Sequence, residues 1–340
     1  FKMTCLMIDI QELVLNNSDI KRIEHPLVGG IILFTRNYKN KQQLKNLIKS
    51  IRKIKKNLLI AVDHEGGRVQ RFRDEFTEIP DMKQIGKIYQ KDSDHAKLIA
   101  KLVGWVISEE LAEMDIDFSF TPVLDIDYDS SSIIGNRSFH KDADIVSELA
   151  IALIEGLNFG GMQSVGKHFP GHGFIKADTH IEKATDDRPL KIIQNNDIQT
   201  FKNLINAGLK GIMPSHIIYS LCDQNPSGLS NFWLQDQLRD RLNFKGAIFS
   251  DDITMKAIES FQENITKRVQ NALEAGCDMV LVCNSPNKLD KLIEELKWNS
   301  KPNSLKRLEI MKLNKKKRQE NKLKFHNFNI KEARSIITKL

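Results

Sequence analysis

The chain contains no uncharged apolar run near the ~18 residues that a bilayer span requires, so nothing in it reads as a membrane helix. Cysteine is scarce. Cys5, Cys222, Cys277 and Cys283 form no C-x-x-C pair, which argues against a zinc ribbon or disulfide framework and reads as reduced, structural thiols. No G-x-G-x-x-G follows the first apolar run, so the usual mark of a dinucleotide fold is missing. No internal repeat and no domain linker is found, and the glycines and prolines are spread among the loops. The apolar stretch before Asp9 is shorter than a signal h-region and does not end in small residues, so the chain reads as cytoplasmic.

What is present describes a soluble globular protein: 41% hydrophobic and 28% charged residues over 340 positions, enough for one large barrel or two ordinary domains. The net charge of +7 owes much to a late run from Lys312 to Lys324. That run has few interleaved aromatics and the rest of the chain balances its charges, so a solvated helix face explains it better than nucleic acid does.

One unit recurs: a short β-branched or apolar run, a polar loop, then a helical pattern. The runs are Leu6–Asp9, Gly30–Phe34, Leu58–Asp63, Asp117–Leu124, Gln163–Phe169, Gly211–His216, Ala247–Asp251 and Met279–Cys283. Helical stretches between them include Lys41–Lys55, Ala96–Met114, Asp144–Asn158, Asp197–Ala207, Leu234–Leu242 and Thr266–Ala275. Continuous apolar strands alternating with helices predict a parallel sheet covered on both faces. Eight of them predict an α/β chain folded as a single (β/α)8 TIM barrel over residues 1–300, with 301–340 a basic helical extension packed on it. Polar residues close six of the runs: Asp63, Asp125, Lys167 with His168, His216, Asp251 and Asn284. In such a barrel these ends form one rim, where active sites are built.

Three segments carry chemistry. After the third run, Asp63-His64-Glu65-Gly66-Gly67 leads to Arg71, and the glycine pair permits a sharp turn. Asp63 and Arg71 then converge on one small polar molecule, a carboxylate bridging vicinal hydroxyls being a common grip on a sugar. The His64–Glu65 pair does not fit a metal, since adjacent residues seldom ligate together. The fifth run ends in Lys167-His168-Phe169-Pro170-Gly171-His172-Gly173, followed by Asp178-Thr179-His180. The histidines stand at spacings unlike a metal site. Asp178 and His180, two apart, form a titratable pair in which the carboxylate polarises an imidazole able to act as acid and base. Lys167 and His168 are placed to hold ligand oxygens. The seventh run ends in Asp251-Asp252. Strand alternation lets only one of them face the axis, which favours a single nucleophile of glycoside hydrolysis over a carboxylate pair, the other capping the next helix. Arg137, beyond the fourth run, is a further cation for gripping oxygens.

With those residues assembled, the chain resembles the glycoside hydrolase family 3 β-N-acetylglucosaminidases, the bacterial β-hexosaminidases of peptidoglycan recycling. The likeness runs through 25–38, the Asp63–Phe72 loop, Met114–Asp117, Gly166–Gly173, Asp178–His180, Ile248–Asp252 and Ala275–Met279. It implies a cofactor-free and metal-free enzyme that releases terminal N-acetylglucosamine with retention, acting on N-acetylglucosaminyl-1,6-anhydromuramic acid with or without its peptide. Under it Asp251 is the nucleophile and His180, oriented by Asp178, the acid/base. Asp63, Arg71, Arg137, Lys167 and His168 hold the sugar. The resemblance further implies a monomer in the cytoplasm with no nucleic-acid or membrane partner. A phosphorylase or β-glucosidase on the same barrel is the alternative. The chain departs from the family pattern at His64, where many relatives have Gln, in a longer loop before Arg137, and in the Lys/Asn-rich stretch after Asn284.

Overall fold

A computed structural model describes residues 4–176, 184–321 and 325–340. Eight strands form one parallel sheet: β1 (Leu6–Asp9), β2 (Val28–Leu33), β3 (Leu59–Val62), β4 (Phe118–Ser119), β5 (Gln163–Phe169), β6 (Gly211–Pro214), β7 (Ala247–Ile248) and β8 (Val280–Val282). Their order is β7-β6-β5-β4-β3-β2-β1-β8. The two outer strands of that order, β7 and β8, meet through a parallel bridge between Phe249 and Met279. Two backbone hydrogen bonds support it, Asp278 N–H to the Ile248 carbonyl at 2.7 Å and Ser250 N–H to the Met279 carbonyl at 2.9 Å.

The predicted runs fall on these strands, most of them shortened at the C-terminal end. The fourth is the extreme case. It was expected over Asp117–Leu124 but pairs regularly only at Phe118–Ser119, with one further bridge from Val123 to Lys167. Pro122 lies between and has no N–H to give the ladder. Phe118, Phe120 and Phe249 fill the sheet interior, their ring centroids 5.2–5.6 Å apart.

The covering helices start where side chains take up free N–H groups. Asn40 accepts from Gln43 at the head of Lys41–Ile54, and Asp142 accepts from Asp144 and Ile145 at the head of Ala143–Phe159. Helix Ser93–Glu113 packs on Ala143–Phe159 so closely that a Cβ on Gly104 or Gly156 would sit 2.0 Å from a carbonyl oxygen of the other helix. The stretch Phe232–Arg241 is helical as expected, but wound as a wide π-helix.

The basic C-terminal run folds onto the sheet's N-terminal side. Helices Pro302–Ile310 and Lys315–Glu320 follow one another there, with Leu308 and Met311 fully buried, and Ile330–Ile337 packs against helix Ser93–Glu113. Arg307 pairs with buried Asp278, and Arg318 with Glu109 at 2.8 Å. The backbone N–H of Leu313 donates to Asp117 at 3.1 Å, a carboxylate that also takes Arg52 and the Ile60 N–H. Many of the late cations are therefore spent on the protein's own carboxylates.

His64 is packed against Phe72 and Phe76 and is 1% exposed. Its Nδ1 has no hydrogen-bond partner. Burial, with help from Arg73 and Arg71, lowers this imidazole to about 3. The unfolded chain would bind its proton near pH 6.5, so the folded state loses ground as pH falls from about 6.5 toward 3. His64→Gln should therefore lose about 2 kcal/mol less than the parent between pH 7 and pH 5 in urea unfolding. Equal losses would show that His64 protonation is not responsible.

Candidate active site

A pocket opens at the C-terminal ends of the parallel strands, lined among others by Asp63, Glu65, Arg71, Arg137, Lys167, His168, Asp251 and Asn284. The turn after β3 builds its first wall. His64–Gly66 and Val69–Gln70 form a short antiparallel hairpin, with Gly66 at φ 121° and Gly67 at φ 52° making the reversal. This returns Arg71 to Asp63, with Nη2 3.3 Å from Oδ2. The Nε of Arg71 is shielded from solvent and has no partner in the protein, which leaves a donor for a ligand.

Lys167, at 2% exposure, lies between two carboxylates, 2.9 Å from Asp63 and 2.6 Å from Glu65. Glu65 in turn takes Arg137 on both oxygens, at 2.9 Å from Nε and 2.8 Å from Nη2. The result is one chain of alternating charge: Arg71, Asp63, Lys167, Glu65, Arg137. Burial pushes both carboxyls up, but their cations outweigh it: Lys167 and Arg71 hold Asp63 below its ordinary range, and Arg137 and Lys167 hold Glu65 well below. Glu65 was not among the expected site residues. A signal was available, because Asp63 and Glu65 are two apart in extended chain and so share a face.

His168 has its own support. Its Nδ1 is 2.7 Å from Asp125 Oδ2, while Asp125 Oδ1 accepts the backbone N–H groups of His168 and His172 at 3.1 and 2.8 Å. A carboxylate accepts only, so neutral His168 carries its proton on Nδ1 and turns Nε2 to the pocket. Asp125 was expected at a strand end but not as the residue that sets this tautomer. Its carboxyl is raised by burial and, more strongly, lowered by His168 and the backbone donors. His172, 3% exposed with its ring 5.6 Å from that of His168, is lowered to about 4, chiefly by burial and then by its neighbour.

Asp251 and Asp252 both line the pocket, which corrects the expectation that only one could. Regular strand geometry ends at Ile248, so alternation no longer governs residues 251 and 252. Nor does either cap the next helix, which begins at Lys256 after Met255. They differ instead by what holds them. Asp252 accepts from the Thr254 hydroxyl and backbone and from the Cys283 N–H, tying the end of β7 to that of β8. Burial raises its carboxyl to about 7. Its carbonyl accepts from His216 Nε2 at 3.0 Å. Asp251 accepts the Asp252 N–H at 2.8 Å on Oδ1.

The expected pair Asp178 and His180 lies outside the described residues. Among the described residues, no group of three His, Cys, Asp or Glu side chains is arranged to hold a metal, and no helix is long and apolar enough to cross a membrane. The Asp125–His168 pair has a direct spectroscopic consequence. Nitrogen NMR should find neutral His168 protonated on Nδ1, and Asp125→Leu should shift it toward the Nε2–H form. An unchanged tautomer in the variant would remove Asp125 from this role.

The family model for the glycosyl hydrolase family 3 N-terminal domain matches residues 6–311. The chain is 50% identical over 307 residues to a β-hexosaminidase of Methylobacillus flagellatus, covering 90% of this chain and 88% of that one. It is 48% identical over 308 residues to a β-hexosaminidase of Nitrosomonas eutropha, again covering 90% and 88%. Among solved structures, NagZ from Neisseria gonorrhoeae in complex with N-trifluoroacetyl-D-glucosamine superposes with a TM-score of 0.92 at 39% identity, covering 100% of this chain and 98% of that one. With the matched region spanning every sheet strand and the whole pocket, the chain belongs to glycosyl hydrolase family 3, as an enzyme of its β-hexosaminidase branch.

Proposed function

We propose that the protein is a retaining exo-β-N-acetylglucosaminidase that acts on N-acetylglucosaminyl-1,6-anhydromuramic acid, with or without its peptide, in cell-wall recycling. The observation that carries this reading is the pocket itself, in which Asp251 stands with a chain of hydrogen-bonding charges suited to a polyhydroxylated ring. A similar chain, NagZ from Neisseria gonorrhoeae, has been solved with an N-acylated glucosamine, which supports an N-acylated sugar as ligand. In the same reading the eight strands close as a (β/α)8 barrel over 1–300, supported by the Phe249–Met279 bridge, and 301–340 is an extension packed on it. The protein works as a cytoplasmic monomer.

The mechanism assigns each residue by its chemistry. Asp63, Arg71, Arg137, Lys167 and His168 hold the sugar oxygens, each with hydrogen-bonding capacity left over from its protein partners. Asp251, with Oδ1 occupied by the Asp252 N–H, attacks the anomeric carbon as the aglycone oxygen departs. His180, oriented by Asp178, gives that oxygen its proton and then takes one from the water that cleaves the glycosyl-enzyme. Two inversions at one carbon amount to retention.

The decisive experiment is hydrolysis of an aryl β-N-acetylglucosaminide with the anomer of the released sugar followed by NMR. Initial release of the β anomer is expected, and initial α release would exclude a covalent intermediate. Parallel product analysis with and without phosphate separates hydrolysis from phosphorolysis. Asp251→Ala should lower turnover by about four orders of magnitude while sugar binding survives. Retained turnover would remove Asp251 as nucleophile. His180→Ala should slow substrates with poor leaving groups by about 10²–10⁴ and activated aryl substrates far less. An equal loss on both would make His180 a binding residue.

A further inference from the structure

We infer that Glu65 is the charge-balancing and positioning residue of the sugar pocket, which it makes selective for an uncharged glycone and closed to anions. The inference rests on the function proposed above and adds a specificity determinant to it.

Among the described residues, the inner pocket carries three cations, Arg71, Arg137 and Lys167, and three carboxylates, Asp63, Glu65 and Asp251. Their formal charges cancel. Asp252 also lines the pocket but is committed to Thr254 and Cys283. Arg68 sits exposed at the rim, bonded to the Ile133 carbonyl, where solvent screens it. Glu65 is the member of this set that touches two of the cations at 2.9 Å or less, and it is 1% exposed. Without its charge, the linked chain Arg71–Asp63–Lys167–Glu65–Arg137 would go from one excess positive charge to two, in a site largely shielded from water.

Such a site would attract phosphate or a carboxylated sugar, since a charge at several ångströms is worth a kcal/mol or more where the effective dielectric is about 20. With Glu65 in place, Lys167 and Arg137 offer individual N–H donors to neutral oxygens instead of a bare positive field. Glu65 also fixes where those donors point. Arg137 is held on its Nε and Nη2 edge by Glu65 and on Nη1 by the Ile133 carbonyl at 3.4 Å, and each terminal nitrogen keeps one further N–H to offer. Lys167 has spent two of its three donors, on Asp63 and Glu65, and keeps one.

The test is a calorimetric titration of the sugar-free enzyme with inorganic phosphate at fixed ionic strength, alongside KM and kcat on an aryl β-N-acetylglucosaminide. Glu65→Gln should bind phosphate about ten-fold more tightly than the parent, with a raised KM. Glu65→Asp keeps the charge but shortens the reach, so it should raise KM while phosphate stays as weak as in the parent. Asp251→Asn removes a pocket charge and leaves Glu65 in place, and should also bind phosphate about ten-fold more tightly, even if Glu65→Gln does not fold. Phosphate affinity unchanged in Asp251→Asn, or equal in Glu65→Asp and Glu65→Gln, would overturn the inference. If instead the parent fails to cleave the aryl glycoside, the proposed function falls, while the phosphate titrations still decide the role of Glu65.

Discussion

The alternating ion chain Arg71–Asp63–Lys167–Glu65–Arg137 is the interaction on which the site depends. Charges this far from water are expensive to keep, and a buried pair repays its desolvation only with good geometry and further hydrogen bonds. Here each inner member has an opposite charge on both sides, and an arginine closes each end. Three loops must be in place for this to happen: the hairpin after β3, the turn beyond β4 that carries Arg137, and the end of β5. The cluster therefore ties three segments of the rim together while it shapes the wall of the pocket.

Behind this wall is a second layer of carboxylates that meet backbone as well as side chains. Asp125 holds two N–H groups and the imidazole of His168, and Asp252 bridges the loops after β7 and β8. At the opposite end of the sheet, Asp117 and Asp278 do similar work, accepting the Ile60 N–H of β3 and the Ile248 N–H of β7 together with arginines from the covering helices. One motif thus serves both ends of the sheet. At the C-terminal end it orients chemistry, and at the N-terminal end it fastens the C-terminal helices.

Much of the fold was legible because its signals are local. Eight apolar runs separated by amphipathic stretches read directly as parallel strands and helices, and β5 was placed to the residue. The runs were drawn too long where irregular chain follows, since an apolar or small side chain does not say where backbone pairing stops. That same error misjudged Asp251 and Asp252, to which strand alternation was applied beyond the last paired residue. Glu65 and Asp125 went unassigned for a different reason. Their roles lie in partners 72 and 102 positions away or 43 and 47, and no local pattern reports such a distance.

The amino-acid sequence by itself determined the α/β class, the collection of polar residues at strand ends, and membership of a glycosidase family, because these follow from periodicity and from short motifs. Which charges neutralise one another was decided only by tertiary structure. Asp63 and Arg71 were expected as a pair, but Lys167 joins them to Glu65 and Arg137 only when β3 and β5 come together around β4. Folding likewise set Arg307 against Asp278 and Arg318 against Glu109, while Lys315, Lys316 and Lys317 stay exposed as the expected solvated face. Electrostatic energy depends on distance and burial, and neither exists until the chain has folded.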